Sequence, residues 1–325
     1  MASLARRDLL ALVLGAVAAP WPGRSAAGFD PWLDELRREA RAAGIGAATL
    51  ERALRGLEPI PRVIELDRKQ PERRFTFAEY RQRVVNATRI ERGRRLRAEH
   101  AALLGKVQAE YGVPSDIIVA LWGIESNFGE TQGSFPVIAS LATLAWEGRR
   151  ASFFRNELLA ALRILDKGHV SPARMYGSWA GAMGQCQFMP TTFLAYAVDA
   201  DGDGRRDIWD SLPDVFASIA NYMRGAGWNS GYRWGRAVAL PRGASGLTTG
   251  LEHKASLARW SELGLRRADG APLPDEPIRA SLVTPDADDG AAFLVYDNFR
   301  SLMVWNRSTY FALSVGLLAD ELREG

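Results

Sequence analysis

Pro114-Ser-Asp-Ile-Ile-Val-Ala-Leu-Trp-Gly-Ile-Glu-Ser-Asn-Phe128 is the stretch on which the fold turns. Proline is tolerated in the first turn of a helix. Ser115 and Asp116 suit the turn that follows, where a negative side chain meets the positive end of the helix dipole. From Ile117 to Ile124 no residue is charged. A helix that is apolar on every face is a buried one. Glu125 closes the run, one turn beyond Leu121 and Trp122. A carboxylate among such neighbours is poorly solvated, and the negative end of the helix acts in the same sense, so its pKa is expected to rise. A carboxylic acid protonated near neutral pH can hand its proton to a departing oxygen. The plainer alternative is a glutamate that emerges at a helix end and pairs with an arginine.

Upstream of this helix, residues 29–57 carry Trp32, Leu33, Leu36, Ala40 and Ala43 at helical spacing, with Gly44 and Gly46 as breakers. Pro59 and Pro61 mark an extended segment. Residues 76–109 predict one or two long helices dense in arginine, their charges on a solvated face, with Tyr80 and Arg89 able to reach a cleft. Downstream, helices are expected over 137–146, 151–166, 190–197 and 213–225. Residues 235–300 are rich in Gly, Pro and Asp. Their short apolar runs Ala237-Val-Ala-Leu240 and Phe293-Leu-Val-Tyr296 read as strands. Residues 305–322 return to helix. Strand and helix do not alternate, which argues against a parallel sheet. The expected fold is mainly α, formally α+β, with a helical body and a smaller α+β subdomain.

Two further stretches carry chemistry. In Ser178-Trp-Ala-Gly-Ala-Met-Gly-Gln-Cys-Gln-Phe-Met-Pro190, small residues allow close backbone approach, and Gln187 offers an amide donor and acceptor. By itself this is also what a tight turn between helices looks like. Cys186, the only cysteine, excludes an intrachain disulfide and reads as a small buried side chain, because none of the three histidines forms a recognisable partner motif with it. In Asp199-Ala-Asp-Gly-Asp-Gly-Arg-Arg-Asp-Ile-Trp-Asp210, acids stand at loop positions 1, 3, 5, 9 and 12 and glycine at 6, the pattern of a calcium loop. Asp199, Asp201, Asp203, Asp207 and Asp210 are the candidate ligands, with the Arg205 backbone carbonyl. Asp210 is shorter than the usual glutamate, and Arg206 stands where an apolar residue is usual. The expected ion is one structural calcium, with no organic cofactor; the alternative is an acidic turn that binds nothing. A calcium sensor would need a second, paired loop.

Together with Arg149-Arg150 and the Phe153-Phe154 that follows, Tyr196-Ala-Val-Asp-Ala-Asp-Gly-Asp-Gly204, Asn221-Tyr222, Gly227-Trp228 and Asn306-Arg-Ser-Thr-Tyr310, these stretches resemble the membrane-bound lytic murein transglycosylase B family of the lysozyme-like superfamily. The likeness runs over residues 29–322. It implies that Glu125 is the only catalytic acid/base, and that Ser178, Gln187, Tyr222 and Asn306 line a glycan cleft. It also implies that Arg149 and Arg150 meet the peptide-bearing sugar, that Tyr80 is an aromatic cleft residue, and that Asp214 is a further calcium ligand. Trp305 stands where the family often has an aromatic, and is expected to be able to stack on a sugar. The implied reaction cleaves the β-1,4 bond between MurNAc and GlcNAc of peptidoglycan without water, leaving 1,6-anhydro-MurNAc ends. Two-carboxylate hydrolases need a second acid across the scissile bond, and the motif segments after Glu125 offer no obvious one. A muramidase-type hydrolase and a non-catalytic murein-binding protein are the alternatives.

The start of the chain reads as a secretory signal. Arg6-Arg7-Asp8 precedes the apolar run Leu9 to Ala19, and Ser25-Ala26-Ala27 supplies small residues for cleavage. The paired arginines suggest twin-arginine export. The run is too short for a transmembrane anchor, and no cysteine stands near for lipidation, so a soluble periplasmic protein is expected. Loss of residues 1–27 takes away Arg6, Arg7, Arg24 and Asp8, and the net charge falls from +3 to about +1. That is a poor electrostatic basis for nucleic-acid binding. The expected partner is the peptidoglycan glycan strand, met by a monomer. The expected layout is a signal peptide (1–27), a helical lysozyme-like catalytic region with the calcium-type loop (28–234), a small α+β subdomain (235–300) and a C-terminal helix returning to the catalytic body (301–325).

Overall fold

The computed structural model describes residues 28–69, 75–241, 247–286 and 290–324. The expected signal peptide lies outside them. In chain order the helices are α1 (Phe29–Ala42), α2 (Ala47–Leu54), α3 (Pro61–Arg68), α4 (Phe77–Val84), α5 (Ala87–Glu99), α6 (Ala101–Tyr111), α7 (Ser115–Ser126), α8 (Val137–Glu147), α9 (Ala151–Asp166), α10 (Pro190–Tyr196), α11 (Leu212–Gly225), α12 (Leu257–Glu262), α13 (Asp297–Trp305) and α14 (Thr309–Arg323). The strands are β1 (Phe135–Pro136), β2 (Tyr176–Gly177), β3 (Gly235–Ala239), β4 (Ala255–Ser256), β5 (Arg266–Arg267), β6 (Arg279–Val283) and β7 (Phe293–Val295). The fold is mainly α with a small sheet, as the sequence pattern requires. Among the described residues the chain forms two compact units. One takes 28–69 and Leu121–Asn221, the other 75–120 and 222–324.

In the first unit α8 and α9 pack as a helical pair. Val137, Ile138, Leu141, Ala142, Leu144 and Ala145 of α8 are buried, and each large aliphatic among them contributes about 1.5–3 kcal/mol. Trp146 meets the Phe29 ring of α1 edge-on at 5.5 Å. The break at Gly44 and Gly46 separates α1 from α2. Gly46 has no side chain to cap α2, so Asp166 at the end of α9 does it, accepting from the Gly46 N–H at 3.1 Å and from the Thr49 hydroxyl at 2.6 Å.

In the second unit residues 76–109 form three helices rather than one or two. Thr76 and Glu79 make a reciprocal capping box at α4, and Asn86 caps α5 by accepting from the Arg89 N–H at 2.9 Å. The arginines of α5 are not simply a solvated face. Arg94 donates to the Glu321 carbonyl at 2.9 and 2.7 Å, and Arg97 to the Leu322 carbonyl at 2.7 Å. They satisfy the last carbonyls of α14, which no intrahelical N–H can reach. Arg89 does the same for α4 through the Val84 carbonyl, 2.7 Å away.

The five-stranded sheet of this unit runs β4-β6-β7-β3-β5, antiparallel throughout. Ser281 pairs with Val295 and Leu282 with Leu294. Ala280, Leu282 and Leu294 pack with Leu257 and Trp260 of α12 in a core of their own. Among the described residues no helix is long and apolar enough to cross a membrane.

Candidate active site

Glu125 sits in the last turn of α7, half-buried, while Leu121, Trp122, Ile124 and Ser126 around it are buried. The helix ends there because Asn127 and Phe128 take left-handed φ angles of 51° and 58°, costly for residues with a Cβ. A dense set of hydrogen bonds holds them. The Phe128 N–H reaches the Trp122 carbonyl at 3.3 Å. The Ser126 hydroxyl donates to that carbonyl at 3.1 Å and accepts from the Gly129 N–H at 3.0 Å. Thr131 donates to the Ser126 carbonyl through its N–H at 2.8 Å and its hydroxyl at 3.2 Å. The Phe128 ring folds back over Gly123, where a Cβ would lie 2.6 Å from Cε1, and meets the Trp122 ring edge-on at 5.3 Å. The stretch Gly123-Ile-Glu-Ser-Asn-Phe128 is thus a helix stop that fixes the carboxylate's exit.

In the same unit, residues 178–190 form a tight turn and a bridge. Ser178 and Ala182 exchange bonds: the Ser178 N–H donates to the Ala182 carbonyl at 2.8 Å, and the Ser178 hydroxyl accepts from the Ala182 N–H at 3.0 Å. Met183 and Phe188 pair at 2.9 and 3.0 Å. Gln187, also left-handed at φ 49°, donates through Nε2 to the Gln132 and Gly184 carbonyls, each at 3.0 Å. Cys186 is buried, its thiol 3.6 Å from the Val215 carbonyl. Glu157 of α9 is a contributor the sequence pattern did not flag. It is buried and caps α10 by accepting from the Thr191 N–H at 2.9 Å and the Thr191 hydroxyl at 2.7 Å.

Asp67 of α3, whose side chain is buried, binds both arginines of the pair. Arg150 Nη2 lies 2.5 Å from Asp67 Oδ1, with its guanidinium over the Phe154 ring at 5.0 Å. Arg149 binds the same residue, donating from Nη1 to the Asp67 backbone carbonyl at 3.3 Å with the carboxylate 3.9 Å away, and keeps 43% of its side chain exposed. Asp67 carries no motif, which is why sequence reasoning passed over it.

In the calcium-type loop, carboxylate oxygens of Asp199, Asp201 and Asp203 lie within 4.8 Å of one another. These hard oxygen donors suit calcium. The other candidates have different bonds. Asp207 Oδ1 accepts from the N–H groups of Trp209 and Asp210, each at 3.0 Å. Asp210 pairs with Arg174. Asp214 is fully buried and clamps the loop, accepting from the Ala200 N–H at 2.7 Å and the Asp207 N–H at 2.6 Å. Burial holds its carboxyl above the ordinary range against those bonds. Arg205 turns its guanidinium onto Asp203, holding that carboxyl below the usual range.

Tyr80, Tyr222 and Asn306 belong to the other unit. The Tyr222 hydroxyl donates to the Val304 carbonyl at 2.9 Å, and Asn306 Oδ1 accepts from the Ser308 N–H at 3.0 Å. Both residues are buried and frame the turn from α13 to α14. Tyr80 is half-buried beside Tyr310, their centroids 5.9 Å apart. The expectation for Trp305 is corrected here. It is 1% exposed and packs edge-on against Tyr222 at 4.7 Å, so it is a core residue with no face left for a sugar.

A mainly α fold whose buried helix ends in a lone motif carboxylate, followed by a glycine-rich turn, defines a lysozyme-like lytic transglycosylase architecture. Residues 28–320 match the family described as the transglycosylase SLT domain, and the chain belongs to that family. It is 33% identical over 247 residues to membrane-bound lytic murein transglycosylase B of Escherichia coli (strain K12), a match covering 74% of this chain and 66% of that protein, just under two thirds of its length. Among solved structures it is similar to SltB3 from Pseudomonas aeruginosa in complex with NAG-anhNAM-pentapeptide, with a TM-score of 0.88 and 46% identity over 93% of this chain and 80% of that one. It is also similar to the Escherichia coli lytic transglycosylase Slt35 in complex with calcium, with a TM-score of 0.76 and 28% identity over 93% of each chain.

Proposed function

We propose that this protein is a lytic transglycosylase that cleaves the β-1,4 bond between MurNAc and GlcNAc in peptidoglycan, with Glu125 as its acid and base. The observation that carries the reading is a half-buried carboxylate at a rigid helix stop in a chain of the transglycosylase family. Glu125, protonated, gives its proton to the glycosidic oxygen as the C1–O bond breaks. The resulting carboxylate takes the proton from the C6 hydroxyl of the same MurNAc as O6 bonds to C1. The acid is regenerated, no water is consumed and the sugar leaves as 1,6-anhydro-MurNAc. One residue serves both steps because its protonation state after the first is what the second requires. The binding of NAG-anhNAM-pentapeptide by SltB3 supports an anhydro product.

Ser178 and Gln187 contact the glycan beside Glu125. Arg149 and Arg150, both held by Asp67, meet the peptide-bearing sugar. Tyr80, Tyr222 and Asn306 are further proposed glycan contacts. Asp199, Asp201 and Asp203 with the Arg205 carbonyl hold calcium, which stiffens the loop and takes no part in the chemistry. Export to the periplasm brings the protein to its substrate.

Mass spectrometry of muropeptides released from purified sacculi tests the reaction. Anhydro ends are expected, and reducing MurNAc ends throughout would replace this reading by a muramidase. Glu125→Gln is expected to abolish release. Full turnover by that variant would remove Glu125 from the chemistry, and a wild type that pellets with sacculi without turnover would be a binding protein.

A further inference from the structure

Gln185 is buried, with 7% exposure, and the reaction above does not use it. Its side-chain amide is nonetheless bonded at both its oxygen and its nitrogen. Oε1 accepts from the Trp122 indole Nε1–H at 2.7 Å, and Nε2 donates to the Trp209 carbonyl at 2.8 Å. The orientation of the amide is forced, because an indole nitrogen only donates and a carbonyl only accepts. The Gln185 backbone N–H is tied to the Ile208 carbonyl at 2.8 Å. Gly129 lies against the amide so closely that a Cβ there would be 2.5 Å from Oε1 and 2.9 Å from Cδ. The side chain therefore has one position.

Each end of this bridge leads somewhere. Trp122 is on α7 three residues before Glu125, on the same helical face. Its carbonyl accepts from the Ser126 hydroxyl and the Phe128 N–H, the bonds that end the helix. At the other end, the Trp209 carbonyl also accepts from Gln132 Nε2 at 3.1 Å, and the Gln132 carbonyl accepts from Gln187 Nε2 at 3.0 Å. One loop carbonyl thus anchors two amides, one leading to the turn that carries Glu125 and the other to Gln187.

We propose that Gln185 is a positioning residue for Glu125: its amide locks the Trp122 turn of α7 to the Trp209 carbonyl and so sets the direction in which the carboxylate leaves the helix. The assignment rests on Glu125 being the acid and base. Gln185→Leu fills similar space but strands the indole N–H and the carbonyl. It is expected to lower kcat about 10- to 100-fold, the scale of an ångström-level misplacement, with KM changed less than about 2-fold. Trp122→Phe removes the same bond, so the double variant should lose little more than either single one.

Gln185→Glu gives a readout that loss of stability would not move. When protonated, its carboxyl presents one acceptor and one donor, as the amide does; when ionised it has no donor for Trp209. Its kcat relative to wild type should climb as pH falls. A folded Gln185→Leu with kcat within 2-fold of wild type would overturn the proposal, as would a pH-independent ratio for Gln185→Glu. Glu125→Gln, assayed alongside, separates the two failures. If it retains activity, the acid itself is wrong and this assignment goes with it. If it is dead while Gln185→Leu is unaffected, only the positioning role falls.

Discussion

Two glycine-to-alanine changes in helices should move stability in opposite directions. In a helix interior, alanine is favoured over glycine by about 0.8–1 kcal/mol. At Gly105, on the exposed side of α6, a Cβ meets nothing within 4 Å, so Gly105→Ala should gain most of that amount. At Gly123 the new methyl would stand 2.6 Å from Phe128 Cε1 and 2.7 Å from Cζ. Carbon contacts are comfortable at about 3.5–4 Å, so the ring must retreat by roughly 1 Å. It cannot do so freely, since Phe128 is 5% exposed, set against Trp122 and fixed by its own left-handed φ of 58°. Overpacking of this kind costs about 1–3 kcal/mol. It outweighs the propensity gain and leaves a net loss of about 1 kcal/mol for Gly123→Ala. For a chain of this size that is a fall in Tm of about 1–2 °C, read by circular dichroism against a small rise for Gly105→Ala. Because the strain sits two residues from Glu125, kcat should fall as well. A Gly123→Ala variant with a raised Tm would refute the reasoning, since propensity alone would then govern both sites.

Glu157→Ala should cost about 2–4 kcal/mol, from the lost cap of α10 and the stranded Thr191 donor, and Glu157→Gln clearly less; equal losses in urea unfolding would show that the cap is not what Glu157 supplies. Asp320 is held above its ordinary value of 3.8, burial outweighing the opposing pull of Arg233 and Trp234. The native state therefore keeps a proton that the unfolded chain has lost, and this group's contribution declines as pH rises from 3.8 through its folded value. Asp320→Asn retains an acceptor for Trp234 Nε1 and removes that slope, so the stability of the variant relative to wild type should increase with pH across this window; a flat difference in Tm would contradict it. Chelation with EDTA should lower the Tm. At free calcium about 100 times its Kd the ion contributes about 2.7 kcal/mol, and an unchanged Tm would argue against a bound ion.

Some of this was written locally and could be read so. The α7 helix declared itself by an uncharged run behind Pro114, and the three converging aspartates by their spacing, since both signals depend only on near neighbours in the chain. The division of residues 76–109 was legible too, in Thr76-x-x-Glu79 and Asn86, but arginine density masked it. The roles of those arginines were not legible, because Arg94 and Arg97 answer carbonyls more than 200 residues away. Trp305 looked like a sugar platform until its neighbours were known: composition supplies an aromatic face, and only packing decides whether the face is open.

By itself the sequence determined the elements: the buried acid-bearing helix, the glycine-rich turn, the acidic loop and the family they belong to. Tertiary structure alone decided which buried polar groups meet. Asp67 with Arg150, Glu157 with α10, Asp214 with its loop backbone and Gln185 between Trp122 and Trp209 leave no periodic trace, because a hydrogen bond between distant segments constrains one side chain at a time. Burial makes such bonds necessary, and the path of the chain selects the partner.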